Sequence, residues 1–280
     1  MKKMTRKLAL LLVMALLIST CLFTLSACDD KDDDDDDEIE TVDTLNGKTP
    51  LEVCLSAVQR METVENAEMS GVMNVNMEMS GEGISVNQTM NMTMLEQKNG
   101  ETLYSKMTEE SSGVAGENSI EESWLVGGML YERTSGGETG ETLKTKTPMT
   151  YDEYNSDNGE GGDDGFFLDF ESGILDGAKF KKDGNTYHID IKLTGEQIKQ
   201  LAGDLTESFD GLVEFDTFNY RMSFDAEGNL KGFNISFGGS ATEEGMTMVL
   251  EITMRVNVKY GTVGTIVAPA DADSYELVTE

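Results

Sequence analysis

Met246, Met248, Leu250, Ile252, Met254, Val256 and Val258 occupy every second position of one uninterrupted stretch. A period of two puts all seven side chains on one face of a strand, which no helix can do. The same period recurs upstream. Met73, Val75, Met77 and Met79 alternate with Asn74, Asn76 and Glu78, and Met90, Met92 and Met94 alternate with Asn91 and Thr93. Phe218, Tyr220, Met222 and Phe224 repeat it once more. One apolar and one polar face per strand is the pattern of antiparallel sheets that are buried on one side.

Turn signals join these stretches as hairpins. Asn99-Gly100 predicts a type I′ turn, and Gly127-Gly128 separates Trp124–Val126 from Met129–Tyr131. Asp183-Gly184 precedes Thr186–Leu193, and Glu227-Gly228-Asn229 turns the chain back toward Leu230. The apolar parity slips between Leu230 and Phe233 around Gly232, which predicts a bulge.

Two segments have helical spacing instead. Thr49-Pro50-Leu51-Glu52 supplies an N-cap, a proline in the first turn and a capping-box acid, followed by the stripe Leu51, Cys54, Leu55, Val58, Met61. Thr194 and Gln197 cap a second, shorter helix carrying Ile198, Leu201 and Leu205. Residues 134–165, rich in Gly, Thr, Asp and Glu, are expected to form a long mobile loop with one helical turn near Tyr151. The fold class is therefore α+β: one large antiparallel sheet with about two helices.

The N-terminus bears on location. Lys2, Lys3, Arg6 and Lys7 precede an apolar run from Leu8 to Leu25, which has the layout of an export signal. The run ends in Leu25-Ser26-Ala27-Cys28, which matches the lipobox of bacterial lipoproteins. That match implies cleavage after residue 27, a diacylglycerol on Cys28, and residence on the outer face of the cytoplasmic membrane or on an outer membrane. Two acyl chains suffice for stable anchoring.

Cleavage would remove four basic residues and no acidic one, moving the formal net charge from −32 to −36. Such a surface repels nucleic acid and anionic headgroups, so the expected membrane partner is reached through the lipid alone. The unbroken Asp32–Asp37 run lies in a stretch, 28–48, that reads as an acidic disordered tether. It lacks the Gly turn and spaced ligands of a calcium loop. The folded domain is then expected over 49–270, with a tail at 271–280. Cys21 leaves with the signal and Cys28 takes the lipid, so Cys54 is left without a disulfide partner. Within an apolar stripe it reads as a buried structural thiol.

The order of these features resembles the LolA-like group of lipoproteins, including the LppX/LprG branch and its Firmicutes relatives. The resemblance rests on the lipobox, the polar tether, the opening helix at Thr49–Val64 and the hairpin Glu122-Ser123-Trp124-Leu125-Val126-Gly127-Gly128-Met129-Leu130-Tyr131. It continues through Tyr187–Leu193 leading into a helix, and a last strand running through Lys259-Tyr260 toward Pro269. It implies a strongly curved, incomplete barrel with helices against its concave face, and in several members a lipid held between them.

Function is read from the methionines, 15 of which remain after the signal leaves. Met side chains are flexible and polarisable and suit surfaces that adapt to irregular partners. Met73, Met77, Met79, Met90, Met92, Met94, Met246, Met248 and Met254 are the candidate lining of an apolar ligand site; the alternative is that they simply fill a core. A copper(I) site would need these thioethers gathered, and strand alternation disperses them. The sole histidine, His188, belongs to a polar strand face, and no nucleophile-elbow motif accompanies it. The expectation is a non-enzymatic protein with no cofactor and no metal. It would hold a lipid-like ligand or, alternatively, use its surface to contact a protein or cell-wall partner.

Overall fold

The structure is a computed structural model. It describes residues 40–278 apart from 82–83, 113–117, 137–139, 156–173, 194–213 and 244–245. The signal, the lipobox, Asp32–Asp37 and the helix expected from Thr194 lie outside the described residues.

In chain order the elements are β1 (Glu40–Val42), α1 (Pro50–Thr63), β2 (Asn66–Gly81), β3 (Ile84–Asn99), β4 (Thr102–Ser112), β5 (Asn118–Val126) and β6 (Met129–Gly136). They continue with β7 (Thr142–Pro148), β8 (Phe180–Asp183), β9 (Thr186–Leu193), β10 (Glu214–Phe224), β11 (Leu230–Glu243), β12 (Met246–Tyr260) and β13 (Glu276–Leu277). All thirteen strands form one sheet in the order β1-β8-β9-β10-β11-β12-β2-β3-β4-β5-β6-β7-β13. The sheet does not close: β1 and β13 are its two edges. Every pairing is antiparallel except β13 with β7, which is parallel, so the sheet is mixed where the alternation alone predicts a purely antiparallel one.

Sequence neighbours pair through tight turns. Gly127 and Gly128 both have positive φ, 63° and 76°, as a type I′ turn requires. The β3–β4 turn differs from expectation. Asn99 stays in the strand opposite Thr102, and Gly100, at φ 60°, is the first residue of a two-residue loop. That is the arrangement of a type II′ turn, which asks for Gly only at its first central position. The bulge is where the parity slip puts it: Ser223 faces Gly232 but Phe224 faces Leu230. A Cβ on Gly232 would sit 1.8 Å from the Val256 carbonyl oxygen, so only glycine lets β11 approach β12 there.

The helix α1 begins as its sequence dictates. The Thr49 hydroxyl accepts from the Glu52 amide, and the Glu52 carboxylate accepts from the Thr49 amide at 2.8 Å. Val53, Cys54 and Ala57 are buried against the sheet face that also carries the alternating apolar residues. This is termed the helix face, and the opposite one the outer face.

Three boundaries differ from the sequence reading. The fold already includes Glu40–Val42 and Leu45, inside the stretch assigned to a tether, because β1 pairs with β8 and Leu45 is buried in the core. Lysines explain it: Lys182 holds Glu40 at 2.6 Å and Lys179 holds Asp43 at 2.8 Å, which ties the acidic chain to the sheet edge. Within 134–165, where a loop is expected, β7 continues the sheet along β6, and Thr150 and Glu153 form a second capping box ahead of a helical turn at 151–155. The last long strand, β12, ends at Tyr260, and the chain then crosses the outer face to its end. There Tyr275 is buried, so 271–278 is part of the fold rather than a tail.

Candidate functional site

The register fixes which side chains meet. Met254 faces Met73, which faces Met92, so three methionines stand side by side across β12, β2 and β3. Two residues along, Ile252, Val75 and Met90 form the next row, and beyond them Leu250 faces Met77 and Met248 faces Met79. On the other side of the first row, Val256, Gly71, Met94 and Met107 form a fourth. Eight of the nine predicted methionines are thus buried on one contiguous face, and Met92 is wholly inaccessible. Met246, at the strand end, is only partly buried.

The contacts of α1 mark one end of this field. Tyr260 donates to Met61 Sδ at 3.3 Å, and Cys54 donates to Met222 Sδ at 3.6 Å. Val53 and Leu45 lie beside Gly228 in the β10–β11 turn. From Val256, in the same row as Met222, the apolar face runs on to Met246, roughly 33 Å along the strand. The Cys54 thiol is pushed up to about 12 by burial, so it is inert at neutral pH, as its place in the stripe implies. Beside it, Tyr220 is buried with its hydroxyl lacking a hydrogen-bond partner.

Toward β6 the same face changes character. Two residues beyond Met94, Glu96 begins a row that continues through Ser105, Ser123, Glu132 and Thr145. Glu96 is part-buried as a residue, but its Oε2 is fully buried without a hydrogen-bond partner, and burial raises its pKa. Glu121, in the adjoining row with Met107, is also raised, first by burial and then by Glu132. Tyr154 of the helical turn lies over this area. Burial, followed by the charges of Glu96 and Glu132, pushes its phenol up to about 12. Lys98, next on the same face of β3, stands over the Tyr151 ring at 5.3 Å. Among the described residues no three His, Cys, Asp or Glu side chains are grouped to hold a metal ion. Apolar alternation alone does not single out these carboxylates, although Glu96 keeps the parity of Met90, Met92 and Met94.

The outer face behaves in the opposite way. Along β9–β11 it is polar: Asp190 takes Arg221 at 2.6 Å and Lys181 at 2.8 Å, and His188 Nδ1 lies 2.9 Å from Ser223 Oγ. Burial opposes ionisation of Asp190, yet the two cations hold its pKa below the ordinary value. Along β4–β6 the outer face is aromatic. Tyr104 and Trp124 lie 5.4 Å apart, Tyr131 meets Tyr275 edge-on at 5.6 Å, and Arg133 stacks over Trp124 at 5.2 Å while paired with Glu122.

These features define an open, one-sheet β domain whose helix face passes from buried thioethers to carboxylates. No helix among the described residues is long and apolar enough to cross a membrane. Residues 49–273 match the family of unknown function DUF6612, and the chain belongs to that family. No curated protein matches the chain. Two solved structures are similar to it. One is a DUF1329 family protein from Desulfovibrio piger, at 10% identity over 80% of this chain and 96% of that one, with a TM-score of 0.24. The other is a β-barrel-like DUF1849 protein from Brucella abortus, at 10% identity over 71% and 98%, with a TM-score of 0.17.

Proposed function

We propose that this chain is a lipoprotein anchored through Cys28 on the outer face of the membrane, where it holds an apolar chain against its methionine face without catalysing a reaction. One observation supports this above the others: eight methionines share a contiguous face that extends well past the contacts of α1. A core that serves packing alone favours Leu, Ile, Val and Phe, whose rotamers specify a unique arrangement, whereas thioethers accommodate a guest of varying shape. The resemblance to LolA-like lipoproteins points the same way.

A second reading has its own support. Seven of these methionines, all but Met94, belong to one tightly buried cluster with Tyr220, Phe224 and Phe233, as a filled core would. The protein would then act through its acidic surface on a protein or cell-wall partner.

Native mass spectrometry of the full chain, followed by organic extraction, separates the two. An added mass that disappears on extraction supports the carrier. A clean mass that stays unchanged after incubation with lipid vesicles overturns it in favour of the filled core. Membrane fractionation of Cys28→Ala tests the anchor, and retention of the variant in the membrane fraction would refute it.

A further inference from the structure

The helix face carries a gradient that the alternation of apolar residues does not explain. Across β3–β7, its described charged residues are Glu96, Glu109, Glu121 and Glu132 against one cation, Lys98. The carboxylates become progressively less accessible toward the methionines. Glu132 on β6 is exposed, Glu121 on β5 is part-buried, and on β3 the Glu96 Oε2 is sealed from solvent with no donor. Two residues past Glu96 the buried thioethers begin, at Met94 and Met92.

Small side chains form the floor of this path. Between Glu96 and Glu132, about 14 Å apart at three strand spacings, the floor is made by Ser105 and Ser123, which hydrogen-bond to each other at 2.7 Å. Small hydroxyls lie between two long acids, and Tyr154 is near enough to both carboxylates for their charges to raise its phenol. The charge there is offset by one described cation, Lys98, whose charge partly counters the effect of burial on Glu96. Lys98 stands over the Tyr151 ring, and no described ion pair joins it to Glu96. A buried carboxylate without a donor is costly, and an ammonium group relieves the cost both as a charge and as a hydrogen-bond donor. The acids lie on successive strands and no three are gathered closely enough for a metal ion, which suits a group with several N–H donors on a flexible stem.

We infer that the ligand class is a cationic amphiphile, whose ammonium head lies among Glu96, Glu121 and Glu132 and whose hydrocarbon chain runs over Met94, Met92 and Met73. This rests on the carrier reading and specifies its ligand. The acidity of the whole chain, with a formal net charge of −32, raises the local concentration of such cations and repels fatty acids.

The test uses three probes with one hydrocarbon chain, titrated calorimetrically below their critical micelle concentrations into the purified full chain at pH 7. They are dodecylammonium, dodecanol and dodecanoate. Dodecylammonium should bind about tenfold more tightly than dodecanol, with dodecanoate weakest, and added salt should narrow the first gap. Glu96→Gln, which keeps the side-chain shape, should reduce the ammonium preference to about threefold or less. Glu121→Gln, nearer the solvent, gives a second variant if the first fails to fold, and should reduce the preference in the same direction. Equal binding of the three probes, or preference for dodecanoate, overturns the cationic head while leaving the carrier reading intact. An undiminished preference in both variants overturns the placement of the head. Binding of none of the probes overturns the carrier reading and this inference with it.

Discussion

β12, β2 and the adjoining part of β3 bury methionine on the helix face and wet the outer face; β4, β5 and β6 put carboxylates beside the buried Leu125 and Leu130 on the helix face and half-buried aromatics on the outer one. One sheet is therefore covered on both sides, by the main core on the helix face and by a half-buried aromatic layer on the outer one, and the change occurs near β4, whose residues are nearly all half-buried on both faces. The difference teaches that strand alternation sets which residues share a face but not which face is buried. That choice belongs to the cover. On the methionine side it is α1; on the aromatic side it is the C-terminal segment, which Asn66 and Asn99 tie down through the Val263 and Gly264 carbonyls, both at 2.9 Å. Lys144 and Lys146 then fasten it at Asp271 and the Ala272 carbonyl.

The largest effect should come from emptying the methionine side. Met92→Ala removes a wholly buried side chain between Met73 and Glu109 and should cost about 2–5 kcal/mol in urea unfolding. The same truncation at half-buried Met107, across the boundary on β4, should cost clearly less. Equal losses would show that the methionine core extends undiminished onto β4. A small loss at Met92, restored by added alkyl ligand, would show that the methionine face is already loosely filled.

Gly232→Ala attacks the backbone of the same side. Its Cβ would be driven into the Val256 carbonyl, so β11 and β12 must part locally, at a cost of about 3 kcal/mol. Hydrogen exchange should accelerate first at Gly232–Ile235 and Met254–Asn257, and protection on β5–β6 should persist. Loss of protection across the entire sheet at once would join the two sides into one cooperative unit.

Removing residues 270–280 tests the other side. Without Tyr275 the aromatic layer loses its cover, with an expected loss of about 2 kcal/mol. Trp124, the only tryptophan, should report it by a red shift in emission while the burial of Cys54, read by thiol labelling, stays unchanged. Labelling of Cys54 in the truncated protein would mean that the cover of the aromatic layer supports the main core.

Much of this was legible in advance. Four of the long strands, their hairpins, the capping box of α1 and the bulge follow from residues whose local chemistry admits one answer, such as Thr49 with Glu52 or the parity slip at Gly232. The methionine face was legible too, because period two leaves no alternative. What escaped depends on partners distant in sequence. β1 forms because β8 offers it a strand edge, with Lys182 and the preceding Lys179 pairing Glu40 and Asp43. β7 reads as a polar loop because both its faces are half-exposed, and it is a strand because β6 needs a neighbour. Glu96 looked like one acid among 53 acidic residues until the register set it beside Met94 with an unpartnered oxygen.

Glu96→Gln sharpens the comparison by neutralising the buried acid at the boundary. Burial raises the folded pKa of Glu96 above its ordinary 4.5, so folding takes up a proton between the two values. Its contribution to stability is fully present below pH 4.5 and is lost as pH rises through the folded value. At pH 7 without ligand the variant should therefore be about 1–2 kcal/mol more stable than the parent, and the gain should vanish below pH 4.5. A gain that does not depend on pH would show that the carboxylate is neutral or compensated throughout.

The smallest effect is expected at Tyr220, the polar exception within the apolar side. Its ring packs on Phe233 at 5.6 Å, and its hydroxyl is buried near Cys54 with no acceptor. Phenylalanine keeps the ring contact and removes a group that was desolvated without return, so Tyr220→Phe should raise stability by about 1 kcal/mol or less. The comparison then turns on when the gain appears. In protein freed of bound lipid by organic extraction and refolding, the gain should be present, since nothing accepts from the hydroxyl. If the protein as purified shows instead a loss, a guest atom is accepting that hydrogen bond. The methionine side would then hold one polar contact of its own, opposite the carboxylates at the far end of the ligand.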